Sequence, residues 1–165
     1  MILPAETYEE VYDSFQWKIP EFFNMGVAVC DKWAHEKSRL ALVYLDRYGK
    51  QYNYTFQDLK RISNKLANGL SACGLKQGDR VGIFLPQCPE TIISHIAAYK
   101  MGAIAMPLFT LFGLDALSYR LDNSGASAVV TDFTNLPKVL EIRDVLPNLQ
   151  TVIVIDGECP PGVLS

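Results

Sequence analysis

The chain of 165 residues lacks the signatures of several protein classes, and each absence narrows its function. Its 15 lysines and arginines are outnumbered by 18 aspartates and glutamates, so no excess of positive charge attracts nucleic acid. Its four cysteines lie far apart without a C-x-x-C pair, unlike those of a disulfide-stabilised secreted domain. The first residues show no basic stretch followed by an apolar run, as a signal peptide would. We therefore expect a globular, cytoplasmic protein with reduced cysteines.

Patterns typical of membrane spans and metal sites are also scarce. The longest uncharged run, Met101 to Leu114, has 14 residues and contains Pro107, whereas a membrane-spanning helix needs about 20. The two histidines, His35 and His95, have no metal-ligand spacing around them. A nucleophile pair of Cys88 and His95 would need a third, orienting group that the sequence does not offer. We predict no membrane span, no metal site and no catalytic residue in this chain.

The stretch GLKQGDRVGIFLPQCPE, from Gly74 to Glu90, begins like a nucleotide site but lacks the groups that hold phosphate. A P-loop needs a lysine and a hydroxyl residue after its second glycine, but Gly78 is followed by Asp79 and Arg80. A dinucleotide-binding fingerprint places its glycines after a strand, and here they precede one. The pattern instead predicts a tight turn at Gly78, a short strand, and a helix that begins near Pro89.

From this stretch onwards, short apolar segments alternate with helical patterns. The predicted strands are Val81–Leu85, Ala103–Pro107, Ala128–Thr131 and Val152–Ile155, and the predicted helices are Glu90–Met101, Leu114–Asn123 and Asn135–Leu146. Nearly continuous apolar strands are typical of parallel sheets that are buried on both faces. Strand–helix–strand units of this size have right-handed crossovers. We therefore predict an α/β fold with a mostly parallel sheet and helices on both faces.

The first part of the chain follows a different pattern. Apolar residues at Met25, Val29 and Trp33 predict one helix, with Asn24 as its N-cap. A β-hairpin is predicted over Leu42–Tyr54, beside the sheet or at its edge. Next comes a capping box of Thr55 and Asp58, which opens a long helix that ends at Gly74. We divide the chain into an extension with a helix (1–40) and an incomplete α/β subdomain (41–165).

Taken together, three stretches between Tyr54 and Asp132 resemble a known family: YTFQDLKRISNKLANGLSACGLKQGDRVGIFLPQCPE, AAYKMGAIAMPLFTLFGLDALSYRL and ASAVVTD. They are similar to the N-terminal region of the AMP-forming acyl-CoA synthetases, within the superfamily of adenylating enzymes. The matching motif residues are Lys100, Gly102, Ala103, Pro107 and Arg120. The earlier stretch FNMGVAVCDKWA resembles the branch that acts on acetyl to medium-chain acids.

This resemblance implies an enzyme that is longer than the chain. Such a ligase converts a carboxylic acid and Mg-ATP into an acyl-adenylate and pyrophosphate, and CoA then displaces AMP. The family's phosphate loop, which ends in P-K-G, its later aspartate motif and its C-terminal domain with the catalytic lysine do not occur in this sequence. The resemblance therefore implies a first third that binds no cofactor by itself, is inactive alone, and needs the remainder of the synthetase as its partner.

The resemblance also implies a candidate wall for CoA. In acetyl-CoA synthetases, the loop after the strand that ends here at Pro107 lies beside the CoA nucleotide and carries a Gly-Gly pair. Thr110 and Leu111 stand in place of that pair here. The candidate residues are Phe109, Thr110, Leu111, Gly113 and, toward the CoA phosphates, Lys138. The alternative is that Phe109 and Phe112 pack in the core.

Two other interpretations remain open from the sequence. A phosphoreceiver domain is also parallel α/β, and Asp132 and Asp156 follow strands, but no acidic doublet does. A stand-alone α/β binding or interaction module without ligase activity is the second. A reading frame that continues past Ser165 into a phosphate loop would favour the synthetase. Because a partial domain exposes apolar surface, we also expect the chain to form homo-oligomers.

Overall fold

The computed structural model describes Pro4 and Glu6–Ser165. The helices are α1 (Tyr8–Ser14), α2 (Met25–Val29), α3 (Phe56–Ala72), α4 (Pro89–Met101), α5 (Leu114–Ser124) and α6 (Leu136–Ile142). The strands are β1 (Leu40–Leu45), β2 (Gln51–Thr55), β3 (Arg80–Phe84), β4 (Ile104–Pro107), β5 (Ala128–Thr131) and β6 (Thr151–Val154). Single turns of 3-10 helix lie at Asp31–Trp33 and Arg143–Val145. None of the helices in the described residues is long and apolar enough to cross a membrane.

The last four strands form one parallel sheet in the order β4-β3-β5-β6. From β3 the chain crosses through α4 to β4 on one side, and from β5 it crosses through α6 to β6 on the other side. This topology confirms the predicted α/β fold with a mostly parallel sheet. The predicted strands were correct to within a residue at each end.

Both faces of the sheet are buried, as the apolar strands required. Val81, Ile83 and Val130 face a core that α3 and α4 cover. Phe84 and Val129, which alternate with them, face the core that α5 and α6 cover. Burial of each such side chain contributes about 1.5–3 kcal/mol. The prediction of helices on both faces is therefore confirmed.

Gly82 lets α5 approach the sheet closely. A Cβ atom at this position would lie 3.1 Å from side-chain atoms of Leu108 and Val129, and 3.2 Å from a side-chain atom of Leu121. Real Cβ contacts are rarely this short, so a side chain at residue 82 would push these neighbours apart. The glycine that follows Val81 is therefore required by the packing of the sheet against α5.

Two predicted helices were too long. The segment Asn135–Leu146 is α-helical only over Leu136–Ile142 and then tightens into the 3-10 turn Arg143–Val145. Pro147 explains this end, because a proline disfavours the α conformation of the residue before it. The segment predicted as one helix through Met25, Val29 and Trp33 breaks at Cys30, whose φ and ψ are −127° and −63°.

The predicted helix caps and hairpin are confirmed. The side chain of Asn24 accepts the backbone N–H of Val27, and Thr55 and Asp58 form a reciprocal capping box. Strands β1 and β2 form a separate antiparallel sheet, which packs against α3 beside the parallel sheet. Of the two predicted positions, beside the parallel sheet or at its edge, the first is found, because the apolar side of the hairpin, with Ala41 and Tyr54, packs on the α3–α4 layer.

The Lys100 side chain fixes α2 and its 3-10 turn to the body of the protein. It is 9% exposed, lies 2.7 Å from the Asp31 carboxylate, and donates to the Asn64 side chain at 2.7 Å. The Asn24 amide donates to the carbonyl oxygen of Lys100 at 3.0 Å. A Cβ atom at Gly26 would lie only 2.4 Å from Cγ of Lys100, so the glycine permits this close approach. We call Lys100, Asp31, Asn64, Asn24 and Gly26 the α2 latch.

Lys100→Met should lower the free energy of unfolding by about 3 kcal/mol, because it leaves the largely buried Asp31 carboxylate without its cation. Urea unfolding followed by circular dichroism measures the loss. Lys65→Met is the matched control, since Lys65 is an exposed residue of α3 and its loss should cost less than about 0.5 kcal/mol. Equal stability of the two variants would show that the latch contributes nothing.

Candidate functional site

The carboxyl ends of the four parallel strands all lie at the same end of the sheet, where each strand passes into a loop. Because crossovers leave β3 and β5 toward opposite sides, their carboxyl ends flank the topological switch point, where α/β sheets bind ligands. The hydroxyl of Thr131, at the end of β5, donates to the carbonyl oxygen of Phe84, at the end of β3, at 3.1 Å. This hydrogen bond joins the carboxyl ends of the two strands at the switch point.

The loop after β4, residues 109–113, is the most exposed apolar segment at this edge. Phe109 is 62% and Leu111 79% exposed, whereas Phe112 is partly buried against the core under α5 and α6. The loop closes as a turn in which the N–H of Phe112 donates to the carbonyl oxygen of Phe109 at 2.9 Å. Gly113 is the N-cap residue of α5. The alternative of core packing is therefore wrong for Phe109 and correct in part for Phe112.

Lys138 lies against this loop, so the structure brings all five candidate residues together. Its Nζ donates to the carbonyl oxygens of Thr110 at 2.9 Å and Phe112 at 3.3 Å. The same ammonium lies 5.8 Å from the centre of the Phe84 ring. Lys138 therefore contacts backbone of the loop, a partner that the sequence pattern did not indicate.

A cavity of about 360 Å³ adjoins the loop between the ends of β3 and β4. Phe109 and Thr110 line one side, and Pro86, Gln87 and Thr91 line the other. Its volume is at the lower end of the range for small-molecule sites. The lining combines apolar surface with a few polar side chains, and it is compatible with part of a larger ligand.

Asp132 and Asp156, which follow β5 and β6, both accept hydrogen bonds from the segment after β5. Asp132 accepts the backbone N–H and the side-chain amide of Asn135, both at 2.8 Å. Asp156 accepts the backbone N–H of Phe133 at 2.7 Å. These contacts use one oxygen of each carboxylate that a phosphoreceiver interpretation would have needed.

Cys88 and His95, the nucleophile pair considered from the sequence, have other partners. Cys88 Sγ lies 3.4 Å from the hydroxyl of Thr91, and burial raises the pKa of this thiol. His95 Nδ1 lies 3.2 Å from the hydroxyl of Tyr99, and burial lowers the pKa of the imidazole. A thiol that resists ionisation is a poor nucleophile. Among the described residues, no group of three or more His, Cys, Asp or Glu side chains could hold a metal ion.

The stretch Gly74–Glu90 contains the predicted turn at Gly78, the strand β3 and the start of α4 at Pro89. The N–H of Gly78, with φ of 86°, donates to the carbonyl oxygen of Gly102 at 3.0 Å. The Arg80 guanidinium donates to the carbonyl oxygens of Ser124 and Gly125, at the end of α5, at 2.7 and 2.6 Å. Sequence reasoning missed this role of Arg80, because its partners are backbone atoms.

Comparison with known proteins identifies the family. The profile of the AMP-binding enzyme family matches residues 30–163. The chain is 38% identical to the acetyl-coenzyme A synthetase of Bacillus subtilis, over 95% of this chain and 29% of that protein. It is 33% identical to the mitochondrial acyl-coenzyme A synthetase ACSM3 of mouse, over 94% of this chain and 28% of that protein.

A crystal structure of a Brucella canis acyl-CoA synthetase shares the fold, with a TM-score of 0.85 and 29% sequence identity. This match covers 97% of the chain and 31% of the Brucella protein. The chain thus spans less than a third of the length of the relatives it matches. From the profile match and these relatives, we conclude that the chain belongs to the AMP-binding enzyme family.

Proposed function

We propose that this chain is the N-terminal part of an AMP-forming acyl-CoA synthetase. The full enzyme joins a carboxylic acid to CoA and converts ATP to AMP and pyrophosphate. The observation that carries the proposal is the match of about 95% of the chain to proteins named acetyl- and acyl-coenzyme A synthetases. The shared fold, which covers 97% of the chain, also supports it.

The two half-reactions of the full enzyme depend on different groups of residues. In the first, a carboxylate oxygen attacks the α-phosphorus of Mg-ATP and releases pyrophosphate. In the second, the sulfur of CoA attacks the acyl carbonyl carbon and AMP leaves. This chain has no lysine-bearing phosphate loop, so the remainder of the synthetase supplies the groups that position and polarise ATP. These residues contribute the sheet that supports the site, and a wall beside the second substrate.

That wall is formed by Phe109, Thr110, Leu111, Gly113 and Lys138, on the CoA side of the site. Three observations support the assignment. The loop exposes apolar side chains at the carboxyl edge of the sheet, the Lys138 ammonium supplies a positive charge next to it, and an open cavity adjoins it. The pantetheine arm of CoA offers apolar groups that the exposed side chains complement, and the positive charge of Lys138 favours the anionic nucleotide at a distance.

A cytoplasmic location is part of the proposal. The cysteines of the described residues, Cys30, Cys73, Cys88 and Cys159, are all free, as a reducing compartment would keep them. Relatives include a bacterial protein and proteins named as mitochondrial. Cell fractionation with an antibody to the protein tests this point, and recovery in an organelle fraction would contradict it.

Residues 1–165 prepared alone should be inactive and should self-associate. They lack the phosphate loop, and they leave apolar side chains such as Trp17, Ile19 and Phe22 exposed. An apolar groove of about 320 Å³, with Leu66 and Ile153 in its lining, is also open beside α3. Pyrophosphate exchange should stay at the acid-free background, and light scattering should show dimers or larger species. Acid-dependent exchange, or a monomer at high concentration, would contradict the respective expectation.

Thr110→Asp in the full synthetase should separate the two half-reactions. A carboxylate about 4 Å from a CoA phosphate costs up to roughly 4 kcal/mol at an effective dielectric near 20, before salt and relaxation reduce it. Even about 1.4 kcal/mol weakens binding tenfold. We expect the KM for CoA to rise about tenfold or more, while acid-dependent pyrophosphate exchange, which uses no CoA, stays near normal.

Thr110→Asn is the matched control, since it has nearly the shape of aspartate without the charge, and its KM for CoA should change little. A parallel loss of both half-reactions in Thr110→Asp would show that the loop is a packing element. An unchanged KM would place the loop away from CoA. A wild-type synthetase without acid-dependent exchange would overturn the proposed function as a whole.

A further inference from the structure

We propose that Lys138 is a positioning residue, which fixes the shape of the loop 109–113 from beneath instead of contacting the CoA phosphates itself. This inference rests on the proposed function, because the loop matters to catalysis only if it borders CoA. The observation that carries it is the pair of hydrogen bonds from the ammonium to loop carbonyl oxygens, at 2.9 Å to Thr110 and 3.3 Å to Phe112.

The ammonium has little capacity left for a ligand. A lysine has three N–H donors, and two of them are directed at the loop. The Phe84 ring, which is fully buried, lies 5.8 Å from the same nitrogen on the sheet side. A phosphate that bound the ammonium directly would compete with the carbonyl oxygens that give the loop its shape.

Lys138 joins three separate strand–helix connections. It lies on α6 after β5, its ammonium contacts the loop after β4, and Phe84 ends β3. The position of α6 is itself fixed, because Leu136 and Val139 on either side of Lys138 are buried in the core. Lys138 therefore attaches an otherwise exposed loop to the packed core.

Two other contacts support the loop at its C-terminal end only. The Phe112 side chain packs partly buried against the core under α5 and α6, and the exposed Arg120 guanidinium lies 4.2 Å from the centre of its ring. The turn between Phe112 and Phe109 closes the loop without attaching it to the core. Loss of the Lys138 ammonium should therefore release Thr110 and Leu111, the residues proposed to face CoA.

Limited chymotrypsin digestion of the full synthetase, without CoA, measures the shape of the loop directly. The loop offers cleavage sites at Phe109, Leu111 and Phe112, and the exposed turn residue Tyr48 serves as an internal reference. We expect Lys138→Met to speed cleavage in the loop about tenfold while cleavage at Tyr48 is unchanged. Lys138→Arg, which keeps the charge and offers several donors, should restore much of the protection.

Kinetics with two thiol substrates separates positioning from phosphate contact. If Lys138 positions the loop, Lys138→Met raises the KM by the same factor for CoA and for 3′-dephospho-CoA, and leaves pyrophosphate exchange near normal. Lys76→Met, an exposed lysine before β3, is the control and should change neither parameter. A larger loss for CoA than for 3′-dephospho-CoA, with unchanged cleavage of the loop, would overturn the inference in favour of direct phosphate contact.

An unchanged rate of loop cleavage in Lys138→Met would overturn the inference under any kinetic result. The outcome for Thr110→Asp remains an independent test of the proposed function. If Thr110→Asp affects neither half-reaction while Lys138→Met still loosens the loop, the loop is positioned by Lys138 but does not serve CoA. That result would contradict the link to CoA and retain the structural role of the lysine.

Discussion

Burial of both faces of the parallel sheet is the constraint from which the rest of the structure follows. Val81 and Ile83 pack under α3 and α4, while Phe84 and Val129 pack under α5 and α6. Parallel strands need crossover helices to reach this arrangement, and each crossover returns the chain to the same edge. The loops that follow β3, β4 and β5 are therefore gathered at one end of the sheet.

Two lysines then attach peripheral segments to this framework. Lys100 holds α2 through the Asp31 carboxylate, and Lys138 holds the loop after β4 through the carbonyl oxygens of Thr110 and Phe112. In both cases a long side chain from a well-packed helix carries a charge to a peripheral segment, and it adds to an apolar contact, that of Cys30 after α2 or of Phe112 in the loop. The difference is functional: the α2 latch contributes to stability, whereas the Lys138 contact shapes a surface proposed to face a substrate.

The fold could be predicted from the sequence because its determinants are local. The contacts within the candidate site could not be predicted in this way. Strand positions, the caps at Asn24 and Thr55, and the turn at Gly78 depend on neighbouring residues, and all agreed with the structure. The break at Cys30 was missed, because the apolar spacing continues through it. The contact between Lys138 and the loop leaves no pattern in the sequence, because its acceptors are backbone oxygens, which every residue possesses. From the sequence, Lys138 is proposed as a residue toward the CoA phosphates, and its contacts with the loop are not indicated.

The assignment of the site depends on our proposal that the loop 109–113 borders CoA in the full synthetase. Hydrogen–deuterium exchange measured by mass spectrometry tests it most directly, on wild-type synthetase with and without each substrate. We expect saturating CoA to slow amide exchange in a peptide containing Phe109–Gly113, and Mg-ATP alone to leave exchange in that peptide unchanged. A peptide from the hairpin turn around Tyr48 should exchange at the same rate in all conditions. Protection of the loop by Mg-ATP alone, or no protection by CoA, would contradict the claim.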